Sequence, residues 1–229
     1  MKIQLTFIFL LTNLVILSQD MSQSLISTNG SSNSMGLIDL RGFESSATIE
    51  GSAYVNDKFL PARIEGVEGV HLLRYNAAND DIEYQKEEDK IFVLNKSDKK
   101  YDISFIGTKN ALRVYDYTNT YGDSVKGFLN ELYASKISLL KREKIKYVAE
   151  KYPKNGYDVL VPAHFEREKD EFYMKDGEKI FAFPKNKKYL IALYPSKKAE
   201  LENFFKQNRY SFKDEKDLTA IASYLSAIL

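Results

Sequence analysis

Seven short β-like segments between residues 52 and 117 constrain the fold more than any other feature of the sequence. Turn residues such as Asn56-Asp57 and Gly66–Gly69 separate them. A parallel crossover needs about a dozen residues, so connections this short join antiparallel neighbours. The pattern therefore predicts an antiparallel β meander that forms a curved sheet. Its predicted strands are Ser52–Val55, Arg63–Ile64, Val70–Tyr75, Ile82–Gln85, Ile91–Leu94, Tyr101–Ile106 and Leu112–Tyr117.

Strand-like sequence continues to residue 183. Residues 124–133 fit either a helix or the first strand of a hairpin that turns at Ala134-Ser135, and the local pattern leaves both open. Asp176-Gly177 predicts a type I′ turn, which needs positive φ at both central residues. The other predictions here are strands at Ile137–Leu140, Val159–Phe165, Glu171–Lys175 and Lys179–Phe183, and a loop at Tyr147–Tyr157.

Helical sequence follows Pro184. Asn186 is placed to cap a short helix, and Pro195-Ser196 to start a second. Ser211 and Asp214 have capping-box spacing before a final helix. That helix carries an apolar stripe at Leu218, Ile221, Ala222, Leu225 and Ile228. Strands followed by helices predict the α+β class.

The first residues carry an export signal. Met1-Lys2 precedes an apolar run that ends at Ser18, the pattern of a secretory signal peptide, and the run is too short for a membrane span. We expect residues 1–18 to be the signal and residues 19–48 a flexible Ser/Asn/Gly-rich leader. Residues 49–229 are predicted to form a single α+β domain, β-rich over 49–183 and helical over 186–229. The mature protein is expected to be soluble, in the periplasm or secreted.

Charge and cysteine content exclude several classes of function. The chain has 33 Lys and Arg against 32 Asp and Glu, and Lys2 leaves with the signal, so the mature chain is formally neutral. A neutral chain without a long basic run is a poor ligand for nucleic acid. The absence of cysteine excludes disulfides, thiol catalysis, a cysteine zinc site and a lipidated N-terminal cysteine. No cofactor and no metal site is predicted.

Two histidines, His71 and His164, are the candidates for acid–base catalysis. Neither has a metal-ligand spacing around it, and a packing or surface role is the favoured interpretation of both. The oxygen-rich segment Asn76–Glu83 lacks the regular spacing of a calcium loop. We interpret it as a hairpin turn, because Asn and Asp favour tight turns.

Tyrosines supply the candidate binding residues. Tyr115, Tyr117 and Tyr121 lie at alternating or nearly alternating positions, so on an exposed face they would stack against a sugar or a partner peptide. Tyrosines of an edge strand that pack onto the core would show the same pattern, and we favour this packing role over a binding role. Tyr75 and Asn76, beside the Asn76–Glu83 turn, complete the candidate set.

The sequence resembles a family of uncharacterised exported proteins of Gram-negative bacteria. The resemblance covers nearly all of residues 51–229 and rests on five motifs spread along that range. These are Gly51–Asp57, Leu73–Asn76 with Asp81–Tyr84, Leu132–Leu140, Phe204–Asn208 and Asp217-Leu218. It implies export and one domain, and it assigns no catalytic residue.

Two kinds of function are compatible with these observations. The first is a binding or interaction module of the cell envelope. Its partner would be an apolar ligand held between the sheet and the helices, or an envelope protein that contacts a tyrosine-rich edge strand. The alternative is a periplasmic hydrolase that uses His164 or His71 with carboxylates on neighbouring strands. A pocket of several hundred Å3 under the C-terminal helices would favour the first.

Overall fold

The protein is an antiparallel sheet followed by helices, so the predicted α+β class is confirmed. The structure is a computed structural model that describes residues 37–39, 49–88, 90–97, 100–155 and 157–229. The strands in these ranges are β1 (Leu37–Asp39), β2 (Leu60–Ile64), β3 (Val67–Asn76), β4 (Asp81–Glu87), β5 (Lys90–Leu94), β6 (Asp102–Phe105), β7 (Ala111–Thr118), β8 (Ser124–Tyr133), β9 (Ile137–Arg142), β10 (Ile145–Val148), β11 (His164–Arg167), β12 (Glu171–Asp176) and β13 (Lys179–Ala182). The helices are α1 (Lys187–Leu193), α2 (Lys198–Gln207) and α3 (Glu215–Ile228), and a 3-10 turn (Pro195–Lys197) precedes α2.

Eleven of the described strands form one sheet in the order β1-β5-β4-β3-β2-β6-β7-β8-β9-β12-β13. Most neighbours are joined by short hairpins, as a meander requires. Three pairings depart from that pattern: β1 pairs with β5, β6 returns to pair with β2, and β12 pairs with β9 after an excursion. The excursion contains β10 and β11, which pair with each other in a separate two-stranded sheet. We call residues 145–167 the arm.

The two faces of β7 serve two different cores because successive side chains of a strand point to opposite faces. Leu112 and Val114 belong to a core on β2–β8, whereas Tyr117 packs with Leu129, Leu140 and others on the opposite face. A third core lies between the helices and β9 and β12. Its fully buried members include Leu139, Met174, Leu190, Leu201, Leu218, Ile221 and Leu225.

The helical layer follows the sequence prediction closely. The Asn186 side chain caps α1 by accepting hydrogen bonds from the amides of Lys188 and Tyr189. In α3, four of the five predicted stripe residues are buried, and Ile228 is partly buried. Ser226 links α3 to β9, because its hydroxyl accepts a hydrogen bond from the Ile137 amide and donates one to the Ile137 carbonyl. The predicted capping box is wrong, because Asp214 itself is the N-cap residue and accepts from the amides of Lys216 and Asp217.

The two hairpin predictions have different outcomes. Residues 124–133 form β8 and pair with β9, so the hairpin is confirmed and the helix alternative is wrong. In the β12–β13 turn, the central residues are Gly177 and Glu178, and among described non-glycine residues only Asp80 has positive φ. The predicted hairpin between β12 and β13 is therefore confirmed, and only its predicted type I′ turn is wrong. A glycine with positive φ at the first central position is the pattern of a type II′ turn.

Three further strand or loop predictions are wrong in detail. Ser52–Val55 forms no strand; only Tyr54 makes an isolated bridge, to Asn76. The predicted loop at Tyr147–Tyr157 begins inside β10, and most of the predicted strand Val159–Phe165 is irregular before β11. These segments pair with distant parts of the chain, such as Glu50 with His164, so local alternation is a weak guide to them.

The predicted signal and most of the predicted leader lie outside the described residues. Within the leader, Leu37–Asp39 form β1, which pairs with β5 at the edge of the sheet. Regular structure therefore begins before residue 49. None of the helices in the described ranges has both the length and the apolar character that a membrane span requires.

Candidate functional site

Tyr75 and Tyr117, two of the candidate binding residues, belong to a buried polar network around Asp80. The Tyr75 hydroxyl donates to Asp80 Oδ1 at 2.8 Å, and the Phe128 amide lies 3.3 Å from both carboxylate oxygens. Arg142 donates to the Tyr117 hydroxyl at 2.8 Å and places its other terminal nitrogen 4.0 Å from Asp80 Oδ2. The network lies just beyond the last paired residues of β8 and β9, Asn130 and Lys141, where Asp80 accepts from the Phe128 amide of β8.

Gly127 makes room for this carboxylate. A Cβ atom at this position would lie 2.3 Å from Asp80 Oδ2 and 3.3 Å from the Tyr117 hydroxyl, so glycine is required for the close approach. Burial raises the pKa of Tyr75 well above its ordinary value, and the Asp80 charge adds to the shift. Tyr75 therefore stays protonated and donates its hydrogen to Asp80.

Asn76, the third candidate, belongs to a second buried network. Glu83 accepts from Asn76 Nδ2 at 3.1 Å, from the Tyr54 hydroxyl at 2.8 Å and from Arg74 Nη2 at 2.6 Å. The Arg74 guanidinium also lies 3.7 Å from the centroid of the Tyr54 ring, a cation–π contact. The predicted hairpin at Asn76–Glu83 is confirmed as the β3–β4 turn, and its acidic residues pair with cations of the protein.

Tyr115 and Tyr121 lie apart from these networks. Tyr115 is half-buried, and the Lys175 ammonium is 5.5 Å from its ring centroid. Tyr121 is 80% exposed in the β7–β8 turn, with the Lys144 ammonium 6.0 Å from its ring. The five candidates therefore do not form one site: Tyr115 packs against the core that contains Tyr117, Asn76 lies in the Glu83 network, and only Tyr121 is largely exposed.

The two histidines contact main-chain carbonyl groups. His71 Nε2 lies 3.1 Å from the Glu68 oxygen, and His164 Nδ1 lies 2.9 Å from the Pro162 oxygen. In the part of the chain that the structure describes, neither ring forms an ion pair or a hydrogen bond with a carboxylate. The acid–base arrangement that a hydrolase needs is not assembled around either ring.

A groove between α1 and α2 is the strongest candidate site. Pro195 cannot continue α1, so the chain turns there and α2 packs beside α1. Leu190 and Leu201 point from the two helices into the core, and the neighbouring helix faces form the groove. It is a surface groove of about 670 Å3 that is open to solvent. Ile191, Ala192, Pro195 and Phe205 form its apolar floor, and Lys187, Lys188, Lys198, Glu202 and Lys206 form its rim.

The rim of the groove is strongly positive. It carries four lysines and one glutamate, whereas the whole chain has a formal charge of +1. Lys198 lies 3.9 Å from Glu202 in an exposed pair, and such pairs hold their partners weakly. Among the ion pairs of the described residues, none involves Lys187, Lys188 or Lys206. The groove therefore offers an apolar surface and unneutralised positive charge to one ligand.

Sequence reasoning missed this groove, although the sequence carried a signal for it. Lys198, Glu202, Phe205 and Lys206 follow helical i, i+4, i+7, i+8 spacing and so share one face of α2. A short basic run such as Lys185–Lys188 is usually a solvated face, and the sequence alone favours that interpretation. In the structure, the basic faces of α1 and α2 instead lie side by side over apolar side chains.

The arm is a second exposed apolar surface. Tyr157 is 99% exposed and Val159 76% exposed, and Tyr147, Tyr152 and Leu160 are also exposed. Apolar side chains that cluster on a surface mark contact sites more often than single exposed ones do.

Comparison with known proteins gives no assignment for this chain. No protein-family model matches it. Neither the curated proteins nor the solved structures contain a match.

Proposed function

We propose that this chain is an exported binding module of the cell envelope, and that it binds a single-chain amphipathic anion in the groove between α1 and α2. The observation that carries the proposal is the combination of an apolar floor with a rim of four lysines and one glutamate. Small-molecule sites are concave and mostly apolar, with a few polar groups that fix the orientation of the ligand. Export is proposed from the N-terminal signal pattern and from the family resemblance.

The location of the groove differs from the location that the sequence suggested. The space beneath the helices holds the buried side chains of the third core, such as Leu139, Met174 and Leu218. We place the ligand on the outer side of α1 and α2 instead, where Ile191 and Phe205 remain partly exposed.

The arm favours a second candidate function, contact with a protein of the envelope, because its tyrosines and aliphatic residues are exposed together. The hydrolase alternative has no comparable support, since among the described residues no carboxylate bonds to the ring of His71 or His164.

Calorimetric titration with dodecanoate, below its micelle concentration, tests the proposal. We expect saturable binding that weakens as salt is added, because salt screens exposed charges. The double variant Lys188→Glu/Lys206→Glu is expected to bind about a hundredfold more weakly, since it replaces two attractive charges by two repulsive ones.

The matched control is Lys109→Glu/Lys216→Glu, which makes the same change of charge at exposed lysines outside the groove. We expect this control to bind like the unmodified protein. Absence of binding to the unmodified protein, or equal loss in the two double variants, would contradict the proposal.

A further inference from the structure

The charge of the groove distinguishes between anionic head groups. The rim has three more positive charges than negative ones. A carboxylate head neutralises one of them. A phosphate monoester carries about −1.5 to −2 charges near neutral pH and has three strong acceptor oxygens. The excess charge on the rim is therefore matched better by a phosphate monoester than by a carboxylate.

The placement of the cations points in the same direction. Among the described residues that line the groove, every cation is a lysine, a point charge that binds phosphate without a fixed orientation. Lysines come from both sides, with Lys187 and Lys188 on α1 and Lys198 and Lys206 on α2. A tetrahedral head can accept from both helices at once.

The surroundings strengthen the positive field at the groove. Residues 185–213 carry eight Lys and Arg residues and two Glu residues, in a chain whose formal charge is +1. Such a local excess of one sign raises the concentration of anions near the surface. It adds most for a ligand that carries more than one negative charge.

We infer that the ligand of this groove is a phosphate-monoester lipid with one acyl or alkyl chain, whose phosphate lies among the lysines and whose chain lies on Ile191, Ala192, Pro195 and Phe205. The inference rests on the proposed function and adds the chemical class of the head group.

Competition between dodecyl phosphate and dodecanoate tests the inference, because the two probes share their chain length and differ in the head. Near neutral pH we expect dodecyl phosphate to bind about tenfold more tightly. The preference should fall as the pH is lowered from 8 to about 6, the second phosphate pKa, since the phosphate then loses about half a charge while the carboxylate stays ionised. In Lys188→Gln/Lys206→Gln the preference should also fall, and in Lys109→Gln/Lys216→Gln it should persist.

The outcomes separate the two proposals. Equal binding of the two probes near neutral pH would overturn the inference and leave the proposed function standing. A phosphate preference that Lys188→Gln/Lys206→Gln does not reduce would overturn the inference by placing the phosphate elsewhere. Failure of both probes to bind would overturn the inference and the proposed function together.

Discussion

Replacement of Asp80 by alanine is expected to lower the free energy of unfolding by about 4 kcal/mol, to be measured by urea denaturation. About 3 kcal/mol comes from the loss of a buried anion, which leaves Arg142 without its carboxylate partner, whereas Lys96 keeps its pair with Asp81. About 1 kcal/mol more comes from the backbone, because Asp80 has φ 58° and alanine disfavours the left-handed region.

Asp80→Asn separates these two contributions. Asparagine tolerates the left-handed backbone and keeps an acceptor, so this variant should lose only the part that depends on charge. Asp116→Ala removes an exposed carboxylate from a loose pair with Lys126 and should change stability by less than about 0.5 kcal/mol. If Asp80→Asn is as stable as the unmodified protein, the charge of Asp80 does not stabilise the fold, which contradicts the expected loss of about 3 kcal/mol.

Replacement of Glu83 by alanine is expected to cost about 4 kcal/mol of unfolding free energy, again by urea denaturation. Glu83 is buried, and its carboxylate is the anion that faces the Arg74 guanidinium at 2.6 Å. The Arg74 side chain is 15% exposed, so solvent compensates little for the missing partner.

The control replaces both partners, as Arg74→Met/Glu83→Leu. An apolar pair of similar size leaves no unpaired charge, so we expect at least half of the lost stability to return. A double variant that is no more stable than Glu83→Ala would contradict a coupled buried pair, because removal of the unpaired Arg74 charge would then restore nothing.

Local sequence determined much of the architecture. The β3–β4 hairpin follows from strand-like runs on either side of a short turn, whereas the local pattern left the β8–β9 hairpin open against a helix. The N-cap at Asn186 and the apolar stripe of α3 are likewise local patterns. The pairing of β6 with β2 could not be predicted in this way, because it depends on a core assembled from strands distant in the sequence. The isolated bridge of Tyr54 with Asn76 has the same origin.

The candidate site residues could likewise be predicted only in part from the sequence. Alternation places Tyr115 and Tyr117 on one face of β7, but it does not tell which face is covered. The structure covers that face with β9 and β12 residues such as Leu140 and Tyr173. For the groove, helical spacing identifies the face of α2, whereas the packing of α1 beside it depends on the turn at Pro195.

The most direct test of the central claim is to locate a bound amphiphile by NMR, with a fatty acid that carries a spin label on its chain. We expect the amide signals of Ile191, Ala192 and Phe205 to broaden on binding and to recover when excess unlabelled fatty acid is added. Signals of Tyr157 and Leu160 in the arm should stay unchanged. Broadening confined to the arm, or broadening that unlabelled fatty acid does not reverse, would contradict a binding site between α1 and α2.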